Sequence, residues 1–169
     1  MQKSWQKCCI LQIVCCQLHM IVIWMGDKKM IISKKRYEML YNLAYHDNLT
    51  NCHNRNWYFE NYGDDSEFLF VIVDINNLKT INDKIGHNGG DALIKEVADK
   101  LKTFGDTIRF GGDEFIVILP LDFDIKKLED DRYSLGFCTK QKGMTLDDAL
   151  DIADKKLYQN KIKKNVIKK

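Results

Sequence analysis

Residues 108–119 read IRFGGDEFIVIL, an apolar stretch interrupted by two glycines and two acids. The flanks, Ile108-Arg109-Phe110 and Phe115-Ile116-Val117-Ile118-Leu119, are rich in β-branched and aromatic residues, so they read as two strands of a hairpin. A hairpin tip has a use for glycine, whose backbone tolerates conformations that other residues avoid. It has no need of two adjacent carboxylates. Asp113 and Glu114 are therefore either solvated turn residues or ligands, and what lies beside them decides which.

A second strand is the candidate neighbour. Residues 68–73, FLFVIV, form an unbroken apolar run, the pattern of a strand covered on both faces, and the run ends on Asp74. With the hairpin next to this strand, Asp74, Asp113 and Glu114 converge without any loop having to travel. Three packed carboxylates repel one another unless cations screen them, and hard oxygen donors suit Mg²⁺ or Mn²⁺. Gly111 and Gly112 then gain a second use, because a backbone without side chains lets its N–H groups approach a phosphate. Carboxylates, two divalent cations and a glycine turn are the components of nucleotidyl transfer. One cation activates the attacking oxygen and the other supports the leaving pyrophosphate.

The chain has 169 residues, enough for one domain with a proper core, and 45% hydrophobic with 30% charged residues argues against wholesale disorder. A net charge of +2 gives no argument for a nucleic-acid partner. The six cysteines include no CxxC pair, which argues against zinc; they read as small apolar residues in a reducing compartment.

Periodicity predicts a helix over 33–45, a polar turn over 46–56, a short helix at WYFENY, the strand at 68–73, and a polar helical turn. A helix over 87–101 follows, with Ala92, Leu93, Val97 and Leu101 inward and Asn88 or Asp91 as its cap. After the hairpin come a strand over 132–138 and a last helix opened by Thr145 and Asp148, with Ala149, Leu150, Ala153 and Leu157 inward. This β-α-β-β-α-β order with an added helix predicts an α+β fold of the ferredoxin-like, palm type: a central sheet with antiparallel pairs, flanked by helices. The connection between the third and fourth strands is so short that its helix has room for only a turn or two.

The stretch CCILQIVCCQLHMIVIWM, residues 8–25, is the one candidate membrane segment, about the length a crossing helix needs. Gln12, Gln17 and His19 count against it. Lys28, Lys29, Lys34, Lys35 and Arg36 follow it, which would leave the C-terminal side in the cytoplasm, tethered to the inner membrane. An amphipathic partner-binding helix, or an extension upstream of a start at Met25 or Met30, are the competing readings. The expected organisation is an anchor or partner helix over 1–30, a linker or stalk helix over 31–46, and a catalytic domain over 47–169.

Five ordered blocks of the chain are similar to those of the GGDEF-domain diguanylate cyclases, and the chain resembles a compact, shortened member of that family from about Ala44 to Lys164. Gly111-Gly112-Asp113-Glu114-Phe115 is the motif that names it. DINNLKTINDKIGHNGGD (74–91) resembles the family's DIDxFKxINDxxGHxxGD, and DNLTNCHNR (47–55) its DxLTGLxNR. Ser134-Leu135-Gly136 resembles SxG, and ADKKLYQNK (153–161) resembles ADxALYxAK. The resemblance implies condensation of two GTP into cyclic di-GMP with release of pyrophosphate, across a homodimer in which each subunit holds one GTP. Carried over by position, Asp74, the Ile75 carbonyl, Asp113 and Glu114 would bind two Mg²⁺ or Mn²⁺ per site, with Asp113 as proton acceptor. Gly111 and Gly112 would approach phosphates, Lys161 would meet the terminal phosphates, and Lys79 is a further lysine of the same block. Asn82, His87 and Asp91 fall on guanine-contacting positions, and a paired acceptor such as Asp91 prefers guanine to adenine. A helix-capping role is the plainer alternative for Asp91, as a turn residue is for His87. Asp47 and Arg55 read as an ion pair fixing the first turn.

Three departures from the family pattern bear on activity. The inhibitory Arg-x-x-Asp falls on Lys102 and Gly105, with Asp106 one place off, which predicts no tight product-inhibition site. The segment between Phe115 and Ser134 is short. The GRN block is replaced around Lys163-Lys164-Asn165, where Lys164 stands in for an arginine and gives only a point-charge contact. A weak or inactive module acting as GTP sensor or interaction scaffold is the alternative these departures keep open.

Overall fold

The computed structural model describes residues 20–25 and 28–164, which divide into two compact units, one running through Ala44 and one from Tyr45 onward. In the first unit the candidate span 8–25 ends in a strand and not in a helix. β1 (Met20–Met25) pairs antiparallel with β2 (Lys28–Ser33), Met20 opposite Ser33 and Met25 opposite Lys28. Ile21, Val22, Ile23 and Trp24 are β-branched or aromatic, a composition that favours a ladder over a helix. Residues 8–19 of that span, with Cys8, Cys9, Cys15 and Cys16, lie outside the described residues. Among the described residues no helix is long and apolar enough to cross a membrane. α1 (Lys34–Tyr45) follows β2 where the periodicity places a helix; none of its residues is buried, and Met39, Leu40 and Leu43 are exposed.

The second unit is built on a four-stranded sheet in the order β4-β5-β3-β6. β3 (Phe68–Ile75) is flanked by β5 (Glu114–Leu119) and β6 (Tyr133–Lys140), and β4 (Asp106–Arg109) pairs with β5 at the edge. All three pairings are antiparallel, so the fold is α+β and ferredoxin-like as expected. Strand alternation sends Leu69, Val71, Val73 and Ile75 to one face, under α4 (His87–Lys102), and Phe68, Phe70 and Ile72 to the other, under α2 (Arg55–Asn61) and α5 (Leu146–Lys163). Both faces are covered, which is why the run 68–73 is apolar throughout.

Two local expectations need correction. On α4, Val97 and Leu101 are buried and Leu93 packs partly buried on the same core, as expected, but Ala92 is exposed, and Gly90, Ile94 and Ala98 complete the buried face. Gly86, in a positive-φ conformation (φ 80), occupies the cap position without any side-chain hydrogen bond, so neither Asn88 nor Asp91 caps the helix. α5, by contrast, opens with the expected reciprocal cap: the Asp148 N–H donates to Thr145 Oγ1 and the Thr145 N–H to the Asp148 carboxylate, both at 3.2 Å. That pairing holds the Asp148 carboxyl below the usual range.

Because β5 and β6 both run antiparallel to β3, the connection over 120–132 must recross the sheet. It does so with a single 3-10 turn, Ile125–Leu128. Leu128 fills the α4-side core completely, and the Tyr133 hydroxyl donates to its carbonyl at 2.5 Å. Asp130, at the end of this connection, receives two hydrogen bonds from the Arg132 guanidinium (2.9 and 2.7 Å) and one from Lys100 (2.7 Å). These cations hold its carboxyl far below the usual carboxylate range. The truncated crossover is thus tied to α4 by charge as well as by Leu128.

Lys140 is buried to 1% exposure at the end of β6, where its ammonium donates to the carbonyls of Gly63, Asp64 and Ser66, each at 3.2 Å. Methionine would fill the same space but lose all three charge-assisted hydrogen bonds, leaving the Gly63 and Asp64 carbonyls with only the N–H groups of Ser66 and Gly143 and the Ser66 carbonyl without this donor. Lys140→Met is expected to cost about 2–4 kcal/mol, read as a lower urea midpoint at unchanged slope.

Candidate active site

The sheet brings the three predicted acids to one end. In the ladder register Asp74 stands opposite Glu114 on one side and Ser134 on the other. The Asp113 carbonyl accepts the Ile75 N–H at 3.1 Å, so the turn is fastened to the last residue of β3. On the third side Lys161 of α5 reaches Asp74 at 2.7 Å, both side chains being largely shielded from solvent. The same end of the sheet therefore gathers Asp74, Asp113, Glu114 and the ammonium of Lys161.

Burial raises the Asp74 carboxyl above its ordinary value; Lys161 opposes that, and the negative charges of Asp113 and Asp154 reinforce it. Glu114 is raised by burial first, then by Asp74 and Asp113. Carboxylates raised by one another are an arrangement that gains from a cation, and their oxygen donors fit Mg²⁺ or Mn²⁺ by hardness. Among the described residues no three such side chains already stand in a coordinating geometry. The Lys161 ammonium supplies the counter-charge to Asp74.

The glycines of the turn serve space rather than torsion. Neither Gly111 nor Gly112 has a positive φ. A Cβ on Gly111 would come within 3.0 Å of Glu114 Oε2, and one on Gly112 would meet nothing within 4 Å. The Gly111 N–H is already engaged at 3.3 Å by the Glu114 carbonyl, alongside that of Phe110 at 2.9 Å. Gly112, exposed at the tip, is the open one.

Arg109 is a site residue that the sequence reading missed. Its Nη1 donates to both carboxylate oxygens of Asp47 (3.0 and 3.2 Å), while Nε and Nη2 donate to the Gly112 carbonyl (3.2 and 2.7 Å). Asp47 also accepts from the Leu49 and Thr50 N–H groups and the Thr50 hydroxyl. The expected Asp47–Arg55 pair is therefore replaced by Asp47–Arg109, and the Arg55 guanidinium lies 4.0 Å over the Phe110 ring. Arg109 precedes the glycines by two residues on a strand, where its side chain shares a face with the turn's entry; that was the available signal. Lysine at this position can reach one partner but cannot span both. Arg109→Lys is expected to lower stability by about 1–2 kcal/mol by urea titration, without rescue by its retained charge.

Asp154 is the second residue missed. It lies on α5 two turns before Lys161, a spacing that shares one helix face. With Glu114, Asp151, Ile72, Phe110 and Ile116 it lines a cleft of about 280 Å³ between β5 and α5.

The remaining predicted residues sit on α3 (Leu78–Ile85) and α4, which pack together after β3. Asn77, in the left-handed region (φ 56), starts α3. The Asn82 side-chain oxygen is buried, and among the described residues it has no hydrogen-bond partner. It lies against Gly90, where a Cβ would come within 1.9 Å of it. Asp91 follows Gly90 and is half-buried; His87 and Lys79 are exposed on the first turns of α4 and α3. Lys164 is committed elsewhere, donating to the carbonyls of Asp130 (2.5 Å) and Tyr133 (2.9 Å), which makes it structural; Asn165 lies outside the described residues. Lys102 is held by Asp99 at 2.8 Å and the Thr50 carbonyl at 3.2 Å, and Asp106 accepts the Tyr62 hydroxyl at 2.5 Å.

Comparison with known proteins bears on the family and the fold. The family model described as diguanylate cyclase, GGDEF domain matches residues 44–131, just over half of the chain. Among curated relatives, diguanylate cyclase DgcP of Escherichia coli is 37% identical over 87 residues, 44% of this chain and 26% of that protein. Diguanylate cyclase DgcS of Shewanella oneidensis is 26% identical over 160 residues, 78% of this chain and 54% of that protein. The chain thus spans about half or less of the length of these relatives. Among solved structures, the coiled coil and GGDEF domain of DgcB from Caulobacter crescentus in complex with c-di-GMP aligns with TM-score 0.68 at 21% identity, covering 77% of this chain and 87% of that one. Diguanylate cyclase SiaD of Pseudomonas aeruginosa, in complex with its activator SiaC, aligns at 0.66 and 20%, covering 77% and 63%. At such identities these structures speak for the fold. The family match covers the strand bearing Asp74, the Asn82–Asp91 block and the acidic turn together, and the chain belongs to the GGDEF-domain family.

Proposed function

We propose that the chain is a diguanylate cyclase, condensing two GTP into cyclic di-GMP with release of two pyrophosphates. The observation that carries this reading is the meeting of Asp74, Asp113, Glu114 and Lys161 at one end of the sheet. Asp74, Asp113, Glu114 and the Ile75 carbonyl would hold two Mg²⁺ or Mn²⁺, which when bound supply Lewis-acid activation and counter-charge to the phosphates. Asp113 accepts the proton of the attacking 3′-hydroxyl as the new O–P bond forms at the α-phosphate of the other GTP and the bond to pyrophosphate breaks. Lys161 exchanges its Asp74 partner for terminal phosphate oxygens, and Gly112, with no Cβ, lets phosphate approach the turn; Gly111 and Lys79 border the same path.

Asn82 and Asp91 read the guanine. The unpartnered Asn82 oxygen accepts from the base, and the Asp91 carboxylate, free of any capping role, accepts from N1–H and N2–H₂, with His87 at the rim. Each subunit holds one GTP, so turnover requires a homodimer with two sites face to face. Residues 47–169 form the catalytic domain, and of the expected linker 31–46 the helical part is α1. Use of GTP places the domain in the cytoplasm. With Lys102 and Asp106 already engaged by neighbours, no tight product-inhibition site forms.

The full chain with GTP and Mg²⁺ should yield cyclic di-GMP by chromatography, and with ATP should not. GTP binding without product would instead mark a sensor, and absence of both a scaffold.

A further inference from the structure

We propose that the His46–His53 pair is an acid-sensitive latch on the catalytic turn: protonating the half-buried His53 ring loosens the 46–54 turn from β4 and releases Arg109 from Gly112. The latch acts on the shape of the turn, whatever nucleotide the site takes.

His53 is clamped to β4 through its main chain, its N–H donating to the Thr107 carbonyl at 3.0 Å and its carbonyl accepting the Arg109 N–H at 2.8 Å. Its ring stacks on Trp57 with centroids 3.5 Å apart and planes 5° from parallel. The Nδ1 is buried and has no hydrogen-bond partner among the described residues. A neutral imidazole tolerates one unused acceptor, but an imidazolium makes both nitrogens donors and leaves a charged N–H facing no acceptor. Trp57 offers the charged ring cation–π attraction without supplying that acceptor.

Surrounding charges do not rescue the protonated ring. His46 is 4.9 Å away, ring to ring, and its own Nδ1 lies 3.2 Å from the Asn51 carbonyl. On the same turn, Asp47 is committed to Thr50 and Arg109. On β4, Asp106 favours a charged His53, and it accepts the hydroxyl of Tyr62, the residue that follows α2. Arg55 of α2 lies over Phe110, and Lys102 of α4 is paired with Asp99. Burial first, then His46, holds His53 below its ordinary value, with Asp106 opposing. The folded turn therefore prefers the neutral ring. Its full stability is present above the ordinary histidine value and is drawn down as pH falls below it.

The turn is one closed unit, which carries the effect to the site. The Asp47 N–H donates to the Cys52 carbonyl at 2.8 Å, and Asn51 completes the loop in a left-handed conformation (φ 55). Moving His53 out of its stack displaces Cys52, then Asp47, then the guanidinium that bridges Asp47 to Gly112.

NMR on the isotope-labelled full chain tests this without reference to catalysis. The His53 ring should titrate below the value it shows in the urea-unfolded chain, and exchange of the Arg109 Nε–H, divided at each pH by its rate in the urea-unfolded chain, should speed up at least about tenfold with the same midpoint. His53→Gln should keep that exchange slow through the same pH range. His46→Asn should raise the His53 midpoint by removing the like charge. An Arg109 acceleration that persists in His53→Gln, or a His53 midpoint equal to the unfolded one, would overturn the latch. Should His53→Gln fail to fold, coincidence of the two midpoints in the parent chain and the shift in His46→Asn still decide.

Discussion

Asp113→Asn is expected to lower cyclic di-GMP formation by about 10³-fold or more while leaving the fold at least as stable as the parent. The substitution removes the proposed proton acceptor and one proposed cation ligand in a single change, at nearly constant volume. It does not touch the anchor of the turn, because Ile75 donates to the main-chain carbonyl of residue 113. It also relieves repulsion, since Asp113 is among the charges that raise the carboxyls of Asp74 and Glu114. In chelator, the urea midpoint should be equal to or above that of the parent, the usual direction when a charge kept for function is removed. A stable variant with unchanged turnover would remove Asp113 from the mechanism. A loss of turnover matched by a loss of stability would make its role structural.

Gly136→Ala is expected to be among the most damaging single-methyl changes in the chain. A Cβ there would stand 2.0 Å from the Ala153 carbonyl oxygen, 2.4 Å from the Leu157 nitrogen and 2.9 Å from the Leu157 Cα. All three are backbone atoms of α5, so no rotamer change relieves the clash and the helix must move as a body. Ala149, Ala153 and Leu157 would lose close packing against the Phe70 and Ile72 face. A cost of about 3 kcal/mol or more follows, visible as a lower urea midpoint. Because α5 also carries Lys161 onto Asp74, turnover should drop by about 10²-fold even where the protein remains folded. Normal stability and turnover together would mean that α5 seats differently on β6.

Much of this was legible in the sequence, and the parts that were not share a physical cause. The apolar run 68–73 announced a strand covered on both faces, and the acids at 74, 113 and 114 announced a charged cluster, because each signal is local. Ala92 was misplaced on α4 because Ala92 and Ala98 are interchangeable by composition, and only packing onto the sheet chooses Ala98. Asp91 was open to a capping reading until Gly86 proved to occupy that position without a side chain. Arg109 went unread because its meaning is not local: it joins Asp47, sixty-two residues earlier, to Gly112, three later. Residues 20–25 were drawn into a helix by hydropathy, which does not distinguish a strand from a helix in a short apolar segment.

The Asp47–Arg109–Gly112 bridge also bears on where the working unit begins. A chain trimmed to start at Arg55 would keep every strand of the four-stranded sheet, its covering helices and all three acids, losing only Cys52 from the buried core. It would lose the carboxylate that aims Arg109, and the tip of the acidic turn would hang from its strands alone. The ten or so residues before α2, which place Cys52 in the core and Leu49 against it, thus also steady the tip of the acidic turn.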